Sequence, residues 1–396
     1  MKKVVLAFSG GLDTSFCAVY LSKELGYAVH AVTINTGGFN ADGVTVLQEK
    51  ALRMGAVDFK LIDVTEEYYQ KGIRFLLYGN VLKNNTYPLS VSAERVFQGL
   101  AVAKYAQSIG AEAIAHGSTG AGNDQVRFDL IFHSLCPDME IITPIRDMGL
   151  SRQEEIDYLA KHGVKLSWEK AQYSVNQGLW GTSVGGKETL TSDQPLPELA
   201  FPSQLTAKEP MRITLEFEKG NPVKLNDESL TSVALIQKLN HLGGSYAIGR
   251  DIHVGDTIVG IKGRVGFEAA GPMILIKSHH LLEKHVLTKQ QLQVKDQLAV
   301  SYGSMMHEGL YLDPAMRNIE AFLENSQKHV SGTVNVLLAP YRFQLEGISS
   351  PYDLMQSKFG QYGEKNTGWS AQDVRGFAKV FANQTKLYQT VHHGKD

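Results

Sequence analysis

The chain has 396 residues, enough for two or three domains with ample core, and its 43% apolar and 20% charged residues make an ordinary soluble composition. A formal net charge of −2 excludes a nucleic-acid carrier that works by charge alone, and two cysteines, Cys17 and Cys136, exclude a disulfide framework and fit a reducing cytoplasm. No apolar run reaches membrane-spanning length, and the first residues run into a strand pattern with no charged-then-apolar leader, so a cytoplasmic protein with no membrane or nucleic-acid partner is expected.

Lys2–Leu6 reads as a buried strand, and Phe16, Val19, Tyr20 and Leu25 recur near helical spacing before Gly26. Between them stands Ala7-Phe8-Ser9-Gly10-Gly11-Leu12-Asp13-Thr14-Ser15, a strand, a glycine turn and a helix N-terminus. The glycines permit close approach of the backbone to a ligand. The unpaired N–H groups and dipole of the helix start, with the hydroxyls of Ser9, Thr14 and Ser15, make a phosphate cradle. The spacing is not that of a Walker A loop.

Strands are expected at Ala28–Ile34, Phe59–Asp63, Ala113–Ala115 and Ile141–Thr143. Helices are expected at Val44–Met54, Thr65–Leu77, Ser92–Ile109 and from a capping box at Ser151 to His162. Such alternation implies a parallel sheet covered on both faces, with ligands at the carboxyl ends of its strands. The turn after Ala115 is a second chemical stretch, His116-Gly117-Ser118-Thr119-Gly120-Ala121-Gly122-Asn123-Asp124-Gln125-Val126-Arg127-Phe128. One cation, one anion and neutral donors together can hold an α-amino acid at both its ammonium and its carboxylate.

After a linker at Gly163–Lys170, Tyr173–Ser183 reads as a polar, glycine-rich loop and Thr191–Pro210 as an extended crossing. Arg212–Glu218 and Val223–Leu225 form strands, Ser229–Leu239 a helix broken by Gly243-Gly244, and Ile248–Glu268 several short β runs. His279–Ala299 and Asp313–His329 are helical, Val334–Leu338 and Arg342–Glu346 a hairpin, and Ser350–Asp353 the start of a short helix. Ser370–Gln389 is a final helix with apolar surface. No Cys/His spacing suggests a metal site, and His279-His280 and His392-His393 read as surface pairs, so no protein-held metal is expected.

The first motif resembles the SGGxDS loop of the PP-loop ATP pyrophosphatases, and HGSTGAGNDQVRFD closely matches the HGxTGxGNDQVRF stretch of the argininosuccinate synthetase family. The resemblance implies an α/β fold: a parallel-sheet, Rossmann-like PP-loop domain over 1–165, an α+β synthetase domain over 170–360, and a C-terminal oligomerisation helix over 366–396 of a homotetramer. It implies ATP as substrate with Mg2+ carried on it, and condensation of citrulline with aspartate through a citrullyl adenylate in arginine biosynthesis. Carried over by position, ATP would meet Ala7, Phe8, Ser9, Gly10, Gly11, Leu12, Asp13, Thr14, Ser15, Ile34, His116 and Gly117. Aspartate would meet Thr119, Asn123 and Asp124; Ser9, Asp13 and Asp124 would be the catalytic residues. Citrulline would meet Tyr87, Ser92, Asn123, Arg127, Ser174 and Ser183.

The chain also departs from the family. Glu94-Arg95-Val96 stands where the family has Ala-Arg-Pro, and Gly255 and Phe267 stand at a citrulline-contacting Glu and Tyr. The expected substrate is free citrulline, with Asp256 supplying the lost carboxylate beside Phe267. An N-acylated citrulline is the alternative, and another PP-loop adenylating ligase or an ATP-binding sensor the more distant ones. Asp124 or a phosphate oxygen would accept the proton of the aspartate amine.

Overall fold

The structure is a computed structural model that describes residues 1–39, 41–164, 173–357, 359–360, 362–364 and 368–393. It divides into two compact units, Met1–Pro351 and Tyr352–Asp396. Most of the linker expected at Gly163–Lys170 lies outside the described residues.

In the larger unit five strands, β1 (Lys3–Ala7), β2 (Ala28–Asn35), β3 (Asp58–Asp63), β4 (Ala113–Ala115) and β5 (Glu140–Ile142), form one parallel sheet in the order β3-β2-β1-β4-β5. The order reverses at β1, so the loops after β1 and β4 open side by side at the carboxyl edge, where such sheets bind ligands. Val4, Val5 and Leu6 are all buried because helices cover both faces. Leu12–Lys23 pairs with Arg152–Lys161 on one side, whose capping box at Ser151 is present as expected. Ser90–Ser108 lies against Asp124–Leu135 on the other. The helix expected over Thr65–Leu77 forms but carries a π turn at Tyr69–Ile73.

Two antiparallel sheets follow. One joins β6 (Ser174–Gly178), β7 (Gly181–Gly185), β11 (Arg250–Asp256) and β12 (Lys262–Glu268) in the order β11-β12-β7-β6. The other joins β8 (Met211–Glu218), β9 (Asn221–Leu225), β10 (Glu228–Ser229), β13 (Gly332–Ala339) and β14 (Arg342–Ser349) in the order β10-β9-β8-β13-β14. One apolar core runs from Val5 and Val32 through Phe97 and Trp180 to Leu215 and Leu338, so the parallel sheet and the antiparallel ones share packing.

Several expectations change. Tyr173–Ser183 is not a loop: β6 and β7 make a tight hairpin whose Trp180 is fully buried, its Nε1 donating to the Pro88 carbonyl at 2.9 Å. Gly243-Gly244 does not end its helix, which runs Ser232–Ser245. Gly243 packs against Ala270, so tertiary contact outweighs the low helix propensity of glycine. His279–Ala299 is two helices, Ala270–Val286 and Lys289–Glu308, parted where Thr288 caps the second. His279 is not on the surface but wholly buried.

In the smaller unit, the expected final helix is two, Ala371–Phe381 and Asn383–His392, the first opened by a capping box at Ser370. Val374, Phe377 and Phe381 are exposed along it, the two phenylalanines stacked at 5.2 Å. Among the described residues no helix is long and apolar enough to cross a membrane.

Candidate active site

The loop after β1 is held open by its neighbours. Phe8 donates its N–H to Val32 O at 2.8 Å, and Thr33 Oγ1 donates to Phe8 O at 2.7 Å. Gly10 turns the chain at φ +74°, a conformation that favours glycine. Gly11, still extended, precedes the first helical turn. Ser15 spends its hydroxyl on Gly11 O at 2.7 Å, whereas Ser9 and Thr14 face each other across 3.3 Å, with Thr14 at the rim of the turn. The β4 loop crosses here so closely that a Cβ on Gly117 would lie 3.2 Å from Thr14 N. The two motifs read separately in the sequence therefore form one wall.

That wall bounds a cavity of about 890 Å3. Ala7, Phe8, Ser9, Gly11, Leu12, Asp13, Thr14, Ile34, His116 and Gly117 line it, as do Thr119, Asn123, Asp124, Arg127 and Ser174. Gly10 and Ser15 do not line it. His116 Nε2 faces Asp129 at 2.9 Å, and Arg146 holds the other Asp129 oxygen at 2.6 Å, so the β4 loop is braced from the Asp124–Leu135 helix. The GNDQVRF motif does not continue as loop: Asp124 opens that helix, which fixes Asp124 and Arg127 one turn apart.

A second cavity of about 210 Å3 is bounded by Tyr87, Ser92, Asn123, Arg127, Ser183, Asp256 and the glycines 255 and 263. Asn123 and Arg127 line both cavities. Phe267 lines neither; it is fully buried behind Tyr87, ring centroids 5.4 Å apart. Asp256 stands at the rim, two-thirds exposed, its carboxylate 2.6 Å from Lys262. Ser183 reaches the cavity because the β6–β7 hairpin pairs with β12, Ser183 opposite Phe267.

The charges between the cavities are interlocked. Asp124 receives Arg95 Nε on one oxygen and Arg127 Nη1 on the other, each at 2.9 Å. Burial pushes its carboxyl up, but the two guanidiniums outweigh burial and hold it below the usual carboxylate range. Arg127 is itself buried and also donates Nε to His307 O at 2.8 Å. Ser92 Oγ lies 3.0 Å from His307 Nδ1, which Arg127 Nη2 also approaches at 3.4 Å. An arginine can only donate, so Nδ1 is the acceptor and the neutral ring carries its proton on Nε2. Burial, then Arg127, pulls the His307 pKa down to about 3.

Four further side chains complete the site. Arg95 donates to Asn176 at 3.0 Å and so ties the β6–β7 hairpin to the long helix. Glu94, on the same helix, accepts at Oε1 from Gln98 at 2.8 Å and Arg95 at 3.2 Å, while its buried Oε2 has no partner. Burial pushes the Glu94 carboxyl up to about 7, against the pull of Arg95. His253 stacks on Tyr87 at 5.1 Å, and with His307 it lines the smaller cavity. A histidine in a strand or helix carries no sequence signal of this kind. Glu94 did carry one, since it broke the Ala-Arg-Pro pattern.

Two family models match the chain in succession. "Arginosuccinate synthase N-terminal HUP domain" matches residues 3–165 and "Arginosuccinate synthase C-terminal domain" residues 173–388. The chain is 36% identical to the argininosuccinate synthase of Dictyoglomus turgidum over 98% of this chain and 97% of that protein. It is 35% identical to that of Methanocaldococcus jannaschii over 97% of each, and 36% identical to that of Xanthomonas campestris pv. campestris over 99% of each. Two-domain coverage at this identity leaves one conclusion: the chain belongs to the argininosuccinate synthase family, ATP-using ligases that form a C–N bond in amino-acid biosynthesis.

Proposed function

We propose that the protein uses ATP to adenylate the ureido oxygen of citrulline or a citrulline derivative and passes the adenylate to aspartate, forming an argininosuccinate, AMP and pyrophosphate. The observation that carries this reading is that Asn123 and Arg127 line both cavities, so a ureido group reaching from the smaller one would meet a nucleotide held over Ser9–Thr14.

In the first step the ureido oxygen attacks the α-phosphorus and the bond to the bridging oxygen breaks. Charge then grows on the leaving pyrophosphate, where Ser9, Thr14 and the helix N-terminus are fixed donors. Mg2+ would arrive on those phosphates. Asp13, which lines the larger cavity beside Ser9 and Thr14, would hold such a cation. In the second step the aspartate amine attacks the ureido carbon and the bond to AMP breaks. Thr119, Asn123 and Asp124 bind aspartate. Asp124, held by two arginines, is a poor base; Glu94, with its raised pKa and unpartnered oxygen, takes the proton of the amine. The protein works as a homotetramer assembled through the apolar faces of Ala371–Phe381 and Asn383–His392.

The test uses a substrate labelled with heavy oxygen in the ureido group, incubated with ATP and aspartate. The label is expected in AMP. Products of ADP and inorganic phosphate, or AMP without label, would overturn the adenylate route.

A further inference from the structure

The smaller cavity is poorly suited to a free α-ammonium. A buried ammonium needs an anionic partner. Among the residues that line this cavity Asp256 is the single carboxylate, and it is two-thirds exposed and paired with Lys262 at 2.6 Å. Asp124 belongs to the neighbouring cavity and is already shared between two arginines. His307 is neutral, and burial, followed by the charge of Lys83, also lowers the proton affinity of His253.

Cationic groups, by contrast, are plentiful. Arg127 stands in the wall, and Arg264 meets backbone carbonyls rather than a carboxylate, donating to Glu188, Thr191 and Gln194 at 2.6–2.9 Å. Lys83 is half-buried and has no ion pair among the described residues; its neighbour Asn84 donates to Val254 O at 3.0 Å, which sets this segment against the strand that carries His253 and Asp256. The wall offers no place for an anion either. A Cβ on Gly255 would lie 2.7 Å from His253 Nε2, so an imidazole occupies the space into which a side chain at 255 would grow. Gly255 pairs with Gly263 across β11 and β12, leaving that stretch bare. His253, only 6% exposed, keeps a buried Nδ1 with no hydrogen-bond partner. An unpaired buried nitrogen in a cavity wall marks a place where a ligand or water completes the bonding.

We propose that the ureido substrate enters with its α-nitrogen acylated, and that the acyl group ends in a carboxylate that Lys83 and the arginines of this cavity receive. Acylation turns the ammonium into a neutral amide, which needs no counter-ion. The bare glycine stretch gives the acyl chain its path. The second carboxylate matches a cavity whose cations outnumber its anions. The inference rests on the ureido-adenylation reading above.

The experiment compares kcat/KM for AMP formation with citrulline, N-acetylcitrulline and N-succinylcitrulline under the same ATP and aspartate. N-succinylcitrulline is expected to exceed citrulline by at least tenfold and N-acetylcitrulline to fall between them. Lys83→Gln should narrow the gap between the succinyl and acetyl substrates while sparing the acetyl one. His253→Ile with Gly255→Glu, which clears the space and restores an anion, should move the preference toward citrulline. Citrulline equal to or better than both acylated forms overturns the proposal while leaving ureido adenylation intact. Acetyl equal to succinyl overturns the role of Lys83. AMP from none of the three overturns ureido adenylation itself, and the proposal with it.

Discussion

Replacing Glu94 with glutamine should stabilise the protein at and above neutral pH. Glu94 is 3% exposed, and burial, opposed by Arg95, raises its pKa from 4.5 to about 7. An acid whose folded pKa is raised keeps its proton longer in the folded state. Folded stability therefore falls as pH rises from the unfolded pKa to the folded one, and the loss is complete above it. At about 1.4 kcal/mol per pH unit, the interval from 4.5 to about 7 amounts to roughly 3 kcal/mol. Glutamine keeps the shape and an oxygen for Gln98 and Arg95, but does not titrate. The stability of Glu94→Gln minus that of wild type should thus grow by roughly 3 kcal/mol, most of it between pH 5 and 7, and then level off. Urea unfolding followed by tryptophan emission, with Trp180 fully buried as a reporter, measures this difference at each pH. A difference that stays flat from pH 5 to 8, or shrinks as pH rises, would refute the raised pKa. In catalysis the same variant should lose the aspartate step while single-turnover adenylate formation persists. A variant impaired equally in both steps would remove Glu94 as the proton acceptor.

Lys295→Met should destabilise the protein by about 3–5 kcal/mol, because Glu283 would then remain charged and enclosed without its cation. Lys295→Met with Glu283→Gln should recover most of that in thermal melts yet still raise KM for the ureido substrate; a double variant with wild-type KM would refute a positioning role for the pair. Phe377→Ser with Phe381→Ser, both exposed on the same helical face, should reduce the mass seen by sedimentation. An unchanged mass would exclude that face from assembly.

What the sequence disclosed was local. The Ala7–Ser15 stretch is complete in nine residues, and its strand and helix follow from apolar spacing on either side, so the loop and the parallel sheet it belongs to were legible, though not the order of the strands. The β6–β7 hairpin was not, because its residues are small and polar and its burial depends on Trp180 reaching a carbonyl 92 positions away. The start of the helix at Asp124 was masked by chemistry: a run of Gly, Asn and Asp reads as loop even where it leads into a helix. In the site, Tyr87, Ser92, Asn123, Arg127 and Ser183 could be named from motifs. His253 and His307 could not, since each acquires meaning only from a partner in a distant segment, Tyr87 for one and Arg127 for the other.

The buried charges outside the site bear on it through the segment they hold. Lys295 Nζ donates to Tyr78 O at 3.0 Å and meets Glu283 at 2.9 Å, both side chains wholly enclosed. Asn80 gives its amide to the same oxygen, Glu283 Oε2, and turns its own oxygen to His279 at 2.7 Å; His279 in turn meets Gln327, which donates to the other carboxylate oxygen, Oε1. Apolar packing of the same volume would serve stability as well or better, so stability does not explain the network. Its geometry does. Asn80 sits at positive φ, where the chain leaves the Arg74–Tyr78 helix, and Lys83 and Tyr87 then exchange backbone hydrogen bonds of 2.8 and 3.0 Å. The segment from Tyr78 to Tyr87 is thereby fixed at one end by directional polar contacts and at the other by Tyr87, whose ring carries His253 and whose hydroxyl accepts from Val91 N. Lys83 lies between those anchors. A slide of the segment that apolar packing would tolerate would strip hydrogen bonds from an enclosed carboxylate, so the charges that look costly in the core hold in register the segment that carries Lys83 and Tyr87.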